Sequence, residues 1–153
     1  MNHRFAHKCR PQFRTGAFLL ILMSTLWLSP AGAVETRIEG PIHQDLVWNT
    51  ESSPYRLAGS VTVEREASLA VAPGVVVRFG KGSQLIIKGR FVANQTRFDG
   101  MEDLHNREAL VFQPGSRGHL VFCVIQNLAL QLRTSDTEVT NNVIANRNGS
   151  GIT

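Results

Sequence analysis

The chain has 153 residues, 42% of them hydrophobic, with sixteen Lys and Arg against twelve Asp and Glu. That length suits a single domain large enough to bury a core. Four of the basic residues, Arg4, Lys8, Arg10 and Arg14, precede the first acid, so beyond them the two signs balance at twelve each. A neutral remainder sets up no long-range field that would gather nucleic acid or an acidic membrane.

Residues 1–33 read as a helical secretory signal peptide. The basic head is followed by a compact apolar run, Ala17 to Leu28, and then by Ser29-Pro30-Ala31-Gly32-Ala33. A small-x-small exit of this kind predicts cleavage after Ala33 and export. The apolar run falls short of the roughly 20 residues that span a bilayer, so no stable membrane span is expected after cleavage. Cys9 would leave with this segment. Cys123 would then stand alone, in a strand-like setting where a thiol serves as a small buried hydrophobe.

Residues 34–56 form an entry or N-terminal cap segment with scattered apolar anchors, Trp48 and Tyr55 among them. From residue 57 to 153 the pattern is that of repeated short strands. Period-two alternation places Val61/Val63, Leu69/Val71, Val75/Val77/Phe79, Leu85/Ile87 and Phe91/Ala93 on one face. Gly59, Pro73-Gly74, Gly80, Gly82 and Gly89 punctuate these strands with turn material. The stretches Val75-Val76-Val77 and Leu85-Ile86-Ile87 are apolar on both faces, which suggests a second covered face or an apolar outer wall.

Two echoes suggest a solenoid. A shift of sixteen residues lays Leu69 on Leu85, Val71 on Ile87, Val75 on Phe91 and Val77 on Ala93. A shift of nineteen lays Leu120 on Val139, Phe122 on Asn141, Cys123 on Asn142, Ile125 on Ile144 and Asn127 on Asn146. Stacked coils would bury such columns continuously, and the last pair would form an asparagine ladder.

The passage from Trp48 to Ala93 resembles the opening coils of bacterial secreted right-handed parallel β-helix proteins of the pectin-lyase-like fold. The matching residues are Trp48, Ser53-Pro54-Tyr55, Gly59, Val61, Val63, Leu69, Val71, Pro73-Gly74, Val75, Val77, Phe79, Leu85, Ile87, Gly89, Phe91 and Ala93. The tail from Thr137 resembles a further coil of that family. The resemblance implies an all-β right-handed parallel β-helix of about five or six coils in the periplasm or outside a bacterial cell. It implies little about activity, because this architecture carries lyases, hydrolases, epimerases, adhesins and inert scaffolds. The final Gly151-Ile152-Thr153 falls within a coil, which suggests truncation or an open end that pairs with another chain.

Enzymatic signals are thin, and no catalytic residue is assigned. No nucleophile elbow, P-loop or dinucleotide fingerprint is present, and His43, His105 and His119 are scattered. The one dense acidic group holds Asp99, Glu102 and Asp103. These could take calcium, although their spacing departs from the EF-hand loop and a solvated projecting loop accounts for them better. Arg78, Lys88, Arg90 and Arg97 are the candidate binding residues: cations on an outer wall could hold an acidic polysaccharide, or could simply keep the wall soluble. The expected function is therefore a non-catalytic exported scaffold or binding module without a cofactor, contacting polysaccharide or a cell-surface partner. The alternative is a polysaccharide-active enzyme or the N-terminal part of one. Asn94-Gln95-Thr96 and Asn148-Gly149-Ser150 fit the glycan-acceptor pattern but would matter only in a eukaryotic host.

Overall fold

A computed structural model describes residues 34–100 and 109–145. The signal segment, Glu102 and Asp103 of the acidic loop, Asn146 of the asparagine pair and the final residues lie outside the described residues. Within them the chain is all-β, a parallel solenoid of about five turns with no helix.

The strands in chain order are β1 (Thr36–Ile42), β2 (Leu46–Trp48), β3 (Tyr55–Val63), β4 (Ser68–Val71), β5 (Val76–Phe79), β6 (Gln84–Ile87) and β7 (Arg90–Asn94). They continue as β8 (Arg97–Asp99), β9 (Ala109–Phe112), β10 (Arg117–Val121), β11 (Val124–Gln126), β12 (Ala129–Leu132), β13 (Thr137–Thr140) and β14 (Val143–Ala145).

Their pairing defines three walls. In wall III the order is β2, β4, β7, β10, β13. The remaining strands form one sheet that bends through β1 and β3 into two walls. The first half of β3, Tyr55–Leu57, pairs with β5, and its second half, Val61–Val63, pairs with β6. Wall I thus continues through β5, β8, β11 and β14, and wall II through β6, β9 and β12. Every pairing is parallel, as expected when each turn lays its strands directly on those of the turn before.

Alternation fixes what fills the interior. The inward residues of all five early runs, from Val61 to Ala93, are buried as their period-two pattern predicts. The walls meet at aromatic rings. Phe91 of wall III lies 5.9 Å edge-on from Phe112 of wall II and 6.2 Å from Phe98 of wall I. Gly118, one turn beyond Phe91 on wall III, makes room for this cluster: a Cβ there would stand 2.5 Å from the Phe112 ring. Toward the start of the stack, Trp48 lies parallel to Tyr55 at 4.9 Å, and the Tyr55 hydroxyl accepts the N–H of Asn49 at 3.0 Å.

The nineteen-residue echo matches the register. Leu120 stacks on Val139 and Ile125 on Ile144, while Phe122 and Asn141 occupy equivalent corners. The sixteen-residue echo is corrected. Leu69 stacks on Phe91, Val71 on Ala93, and Leu85 between Val61 and Leu110. Leu69 belongs to wall III and Leu85 to wall II, so sixteen residues carry the chain between walls rather than round a full turn. Of the two doubly apolar stretches, Val76 and Ile86 are half-buried on their outer side, whereas all four residues of β9 are buried.

The corner from wall III to wall I shows why the turns stack. Gly74, Gln95, Phe122 and Asn141 form a column of left-handed residues, with φ of 83°, 49°, 53° and 56°. Each of the first three directs its N–H to the next turn: Gly74 to the Gln95 carbonyl at 2.9 Å, Gln95 to Val121 at 3.0 Å and Phe122 to Thr140 at 3.2 Å. Inside this corner lies Cys123, fully buried, whose thiol is pushed up from its ordinary value by desolvation. Asn142 holds the corner with both ends of its amide. Its Oδ1 accepts the Cys123 N–H at 2.6 Å, and its Nδ2 donates to the Leu120 carbonyl at 2.8 Å.

Candidate binding groove

The solenoid separates the four predicted cations into two groups. Arg78 and Arg97 lie on wall I, each within an ion network. Glu35 accepts from Arg78 at 2.5 Å and from Arg56 at 3.2 Å. These two hydrogen bonds, Arg78 first, hold the Glu35 carboxyl below the usual glutamate range. Arg97 grips both oxygens of Asp99, at 2.8 and 2.9 Å, and donates to the Gln126 side chain at 2.7 Å. Asp99, one of the proposed calcium ligands, is therefore engaged by a guanidinium. Among the described residues no three His, Cys, Asp or Glu side chains converge to hold a metal ion.

Lys88 and Arg90 stand at the corner between walls II and III. The Lys88 ammonium lies 3.2 Å from both oxygens of Glu64. Arg90 differs from the other three: its backbone N–H donates to the Ala67 carbonyl at 3.1 Å, but its exposed guanidinium makes no ion pair or hydrogen bond within the described residues.

Register gives Arg90 two companions that sequence reasoning missed. Ser68, Arg90 and Arg117 are direct partners on β4, β7 and β10. Neighbouring strands are about 4.8 Å apart, so the two guanidinium stems rise side by side from one edge of wall III. Arg65 reaches the same corner from the preceding turn. Together with Asp45, Glu66, Ser68 and the backbone at Gly89 and Gly115, these arginines line a groove of about 370 Å³. Gly89 is required there, since a Cβ would sit 2.2 Å from the carbonyl oxygens of Glu64 and Ala67. A second hollow, of about 540 Å³, shares Arg65 and Glu66 and adds His43, Glu64 and Lys88.

The groove carries three guanidiniums against two carboxylates. One of these carboxylates is already satisfied. Ser68 donates its backbone N–H to Asp45 at 2.8 Å. Ser68 holds the Asp45 carboxyl below its ordinary range, and the charge of Arg90 adds to the effect. An exposed pair of unpaired guanidiniums in parallel suits a planar carboxylate or a sulfate, which can accept from both.

Beyond Arg90 and Arg117, the outer side of wall III is apolar and then polar. Val47, Ala70 and Val92 form one outward column, with Val47 63% and Val92 40% exposed. His119 continues that column beside Glu138, its Nδ1 3.8 Å from the carboxylate.

Comparisons with family models, with curated proteins and with solved structures find no match for this chain. The parallel solenoid is therefore established by strand pairing alone, and the groove by its own geometry.

Proposed function

We propose that the chain is an exported, non-catalytic module of the right-handed parallel β-helix kind, and that it holds an anionic polysaccharide at the corner of walls II and III. The observation that carries this reading is the adjacent pair Arg90 and Arg117, whose guanidiniums hydrogen-bond to no acid within the described residues, while the wall I arginines are engaged by Glu35 and Asp99. Two guanidiniums that hydrogen-bond to no acid among the described residues keep that capacity for an outside acceptor, although Asp45 and Glu66 line the same groove. The right hand follows the strong preference of parallel crossovers. Export follows from the basic head, apolar run and small-residue exit of residues 1–33.

Affinity electrophoresis through gels containing a glucuronate-bearing polysaccharide tests the proposal. Retardation of the protein is expected, relieved by added salt and by the double substitution R90A/R117A. Equal mobility with and without the polysaccharide overturns the binding reading. Release of shortened or unsaturated sugar products overturns the non-catalytic part. An N-terminus beginning at Val34 in protein recovered from outside the cytoplasm tests the export reading.

A further inference from the structure

The outer residues of wall III specify how the glycan lies, an inference that rests on the proposed anion-binding reading. Along the solenoid axis the edge column runs Asp45, Ser68, Arg90, Arg117, Asp136. The Ser68 N–H reaches Asp45, the middle three are register partners, and Gly118 donates to the Asp136 carbonyl at 3.1 Å. The two arginines are thus bracketed by carboxylates on both sides. Glu138, two residues beyond Asp136 on β13, adds a third acid in the next outward column, beside His119. A polyanion laid along the axis would meet repulsion within one or two coils of the arginine pair, about 5–10 Å at strand spacing.

Across the axis the wall is open. Following β10 from Arg117 leads past His119 and Val121 to Phe122, and following β7 from Arg90 leads past Val92 to Asn94. Phe122 is 55% exposed and held at a φ of 53°. A bulky side chain in the left-handed region costs stability that Gly or Asn would not. The same corner position carries Gly, Gln and Asn in other turns, so the fold does not require an aromatic there. From Arg117 to Phe122 the strand spans roughly 17 Å, the reach of a short oligosaccharide rather than of one sugar.

We infer that the ligand is an oligosaccharide lying crosswise on wall III, parallel to β7 and β10. An isolated uronate at one end is held by Arg90 and Arg117, Val92 lies under the middle, and a neutral sugar ring stacks on Phe122 at the other end. The groove's excess of a single positive charge matches one carboxylate, and among the described residues no further Lys or Arg lies along the crosswise path, which matches neutral sugars.

Isothermal titration with three probes tests this: free glucuronic acid, a neutral-sugar trisaccharide capped by one glucuronate, and trigalacturonate. The capped trisaccharide is expected to bind about tenfold tighter than the monomer, the contribution of one good ring contact. Phe122→Ala should remove that gain and leave the monomer unchanged. Trigalacturonate should bind about fivefold more weakly than the capped trisaccharide, and D45N/D136N should close that gap, as expected for surface charge repulsion. If R90A/R117A abolishes monomer binding but Phe122→Ala leaves the trisaccharide unchanged, or if trigalacturonate binds tightest, the crosswise placement is wrong while the anion site stands. If no probe binds the unsubstituted protein, both fall.

Discussion

Walls I and III present cations at comparable density, yet only one of them leaves its cations uncommitted. On wall I, Arg56 and Arg78 share Glu35, and Arg97 holds Asp99. On wall III, Arg90 and Arg117 lie side by side, with acids only at the ends of their column. In a solenoid the neighbours of a side chain are chosen by the length of a turn, not by adjacent sequence. One residue more or less in a corner would place Arg117 on the inner face and reverse the character of the site.

The largest effect should come from breaking what the two walls share. Phe91→Ala removes the ring that touches Phe98 and Phe112 and is expected to cost about 3–5 kcal/mol. Chemical denaturation should then show both walls unfolding in one transition at lower denaturant; a variant that loses wall III alone would show that the walls are energetically separate. A narrower disturbance is Gly118→Val, which forces a side chain against Phe112 and should cost about 1–3 kcal/mol. Because Gly118 follows Arg117, this variant should also weaken anion binding more than its loss of stability explains. Unchanged thermal stability would contradict the close approach of Gly118 to the Phe112 ring.

Smaller effects separate the walls by charge. Glu35 has its carboxyl held low by Arg78 and Arg56, so its contribution is present above the ordinary glutamate pKa and is lost as pH falls through the lowered folded value. Melting temperature should therefore drop in acid more for the unsubstituted protein than for Glu35→Gln. The pair sits in solvent, so the difference should be small and should shrink with added salt. R90A/R117A should leave the melting temperature and its pH dependence nearly unchanged, because those guanidiniums hydrogen-bond to no acid within the described residues and the charge of Arg90 is the smallest influence on exposed Asp45. A marked loss of stability in that variant would mean that the two arginines serve the fold.

The inward faces were legible because alternation is local: a Val-x-Val or Leu-x-Ile run states its own parity. Which wall a run belongs to is not local, so the sixteen-residue echo joined Leu69 to Leu85 although they face the core from different walls. Turns range from nineteen residues, as from Leu120 to Val139, to twenty-seven, as from Phe91 to Gly118. The nineteen-residue echo was readable because successive turns there carry no insertion. The twenty-seven residues from Arg90 to Arg117 are the longest turn among the described strands, which hid their pairing. The available cue was modest: Arg-Phe-Val-Ala-Asn and Arg-Gly-His-Leu-Val both open a strand on arginine. Charge type alone likewise could not tell Arg90 from Arg78, since the partner of Arg78 lies forty-three residues away.

The central claim is that wall III, not wall I, carries the binding site. Its most direct test is to titrate glucuronate into the unsubstituted protein, R90A/R117A and R78A/R97A under identical low-salt conditions. R90A/R117A should lose at least about tenfold in affinity, as expected when a charge-assisted carboxylate contact is removed, while R78A/R97A should stay within about twofold. Equal losses in the two variants, or a loss confined to R78A/R97A, would contradict it.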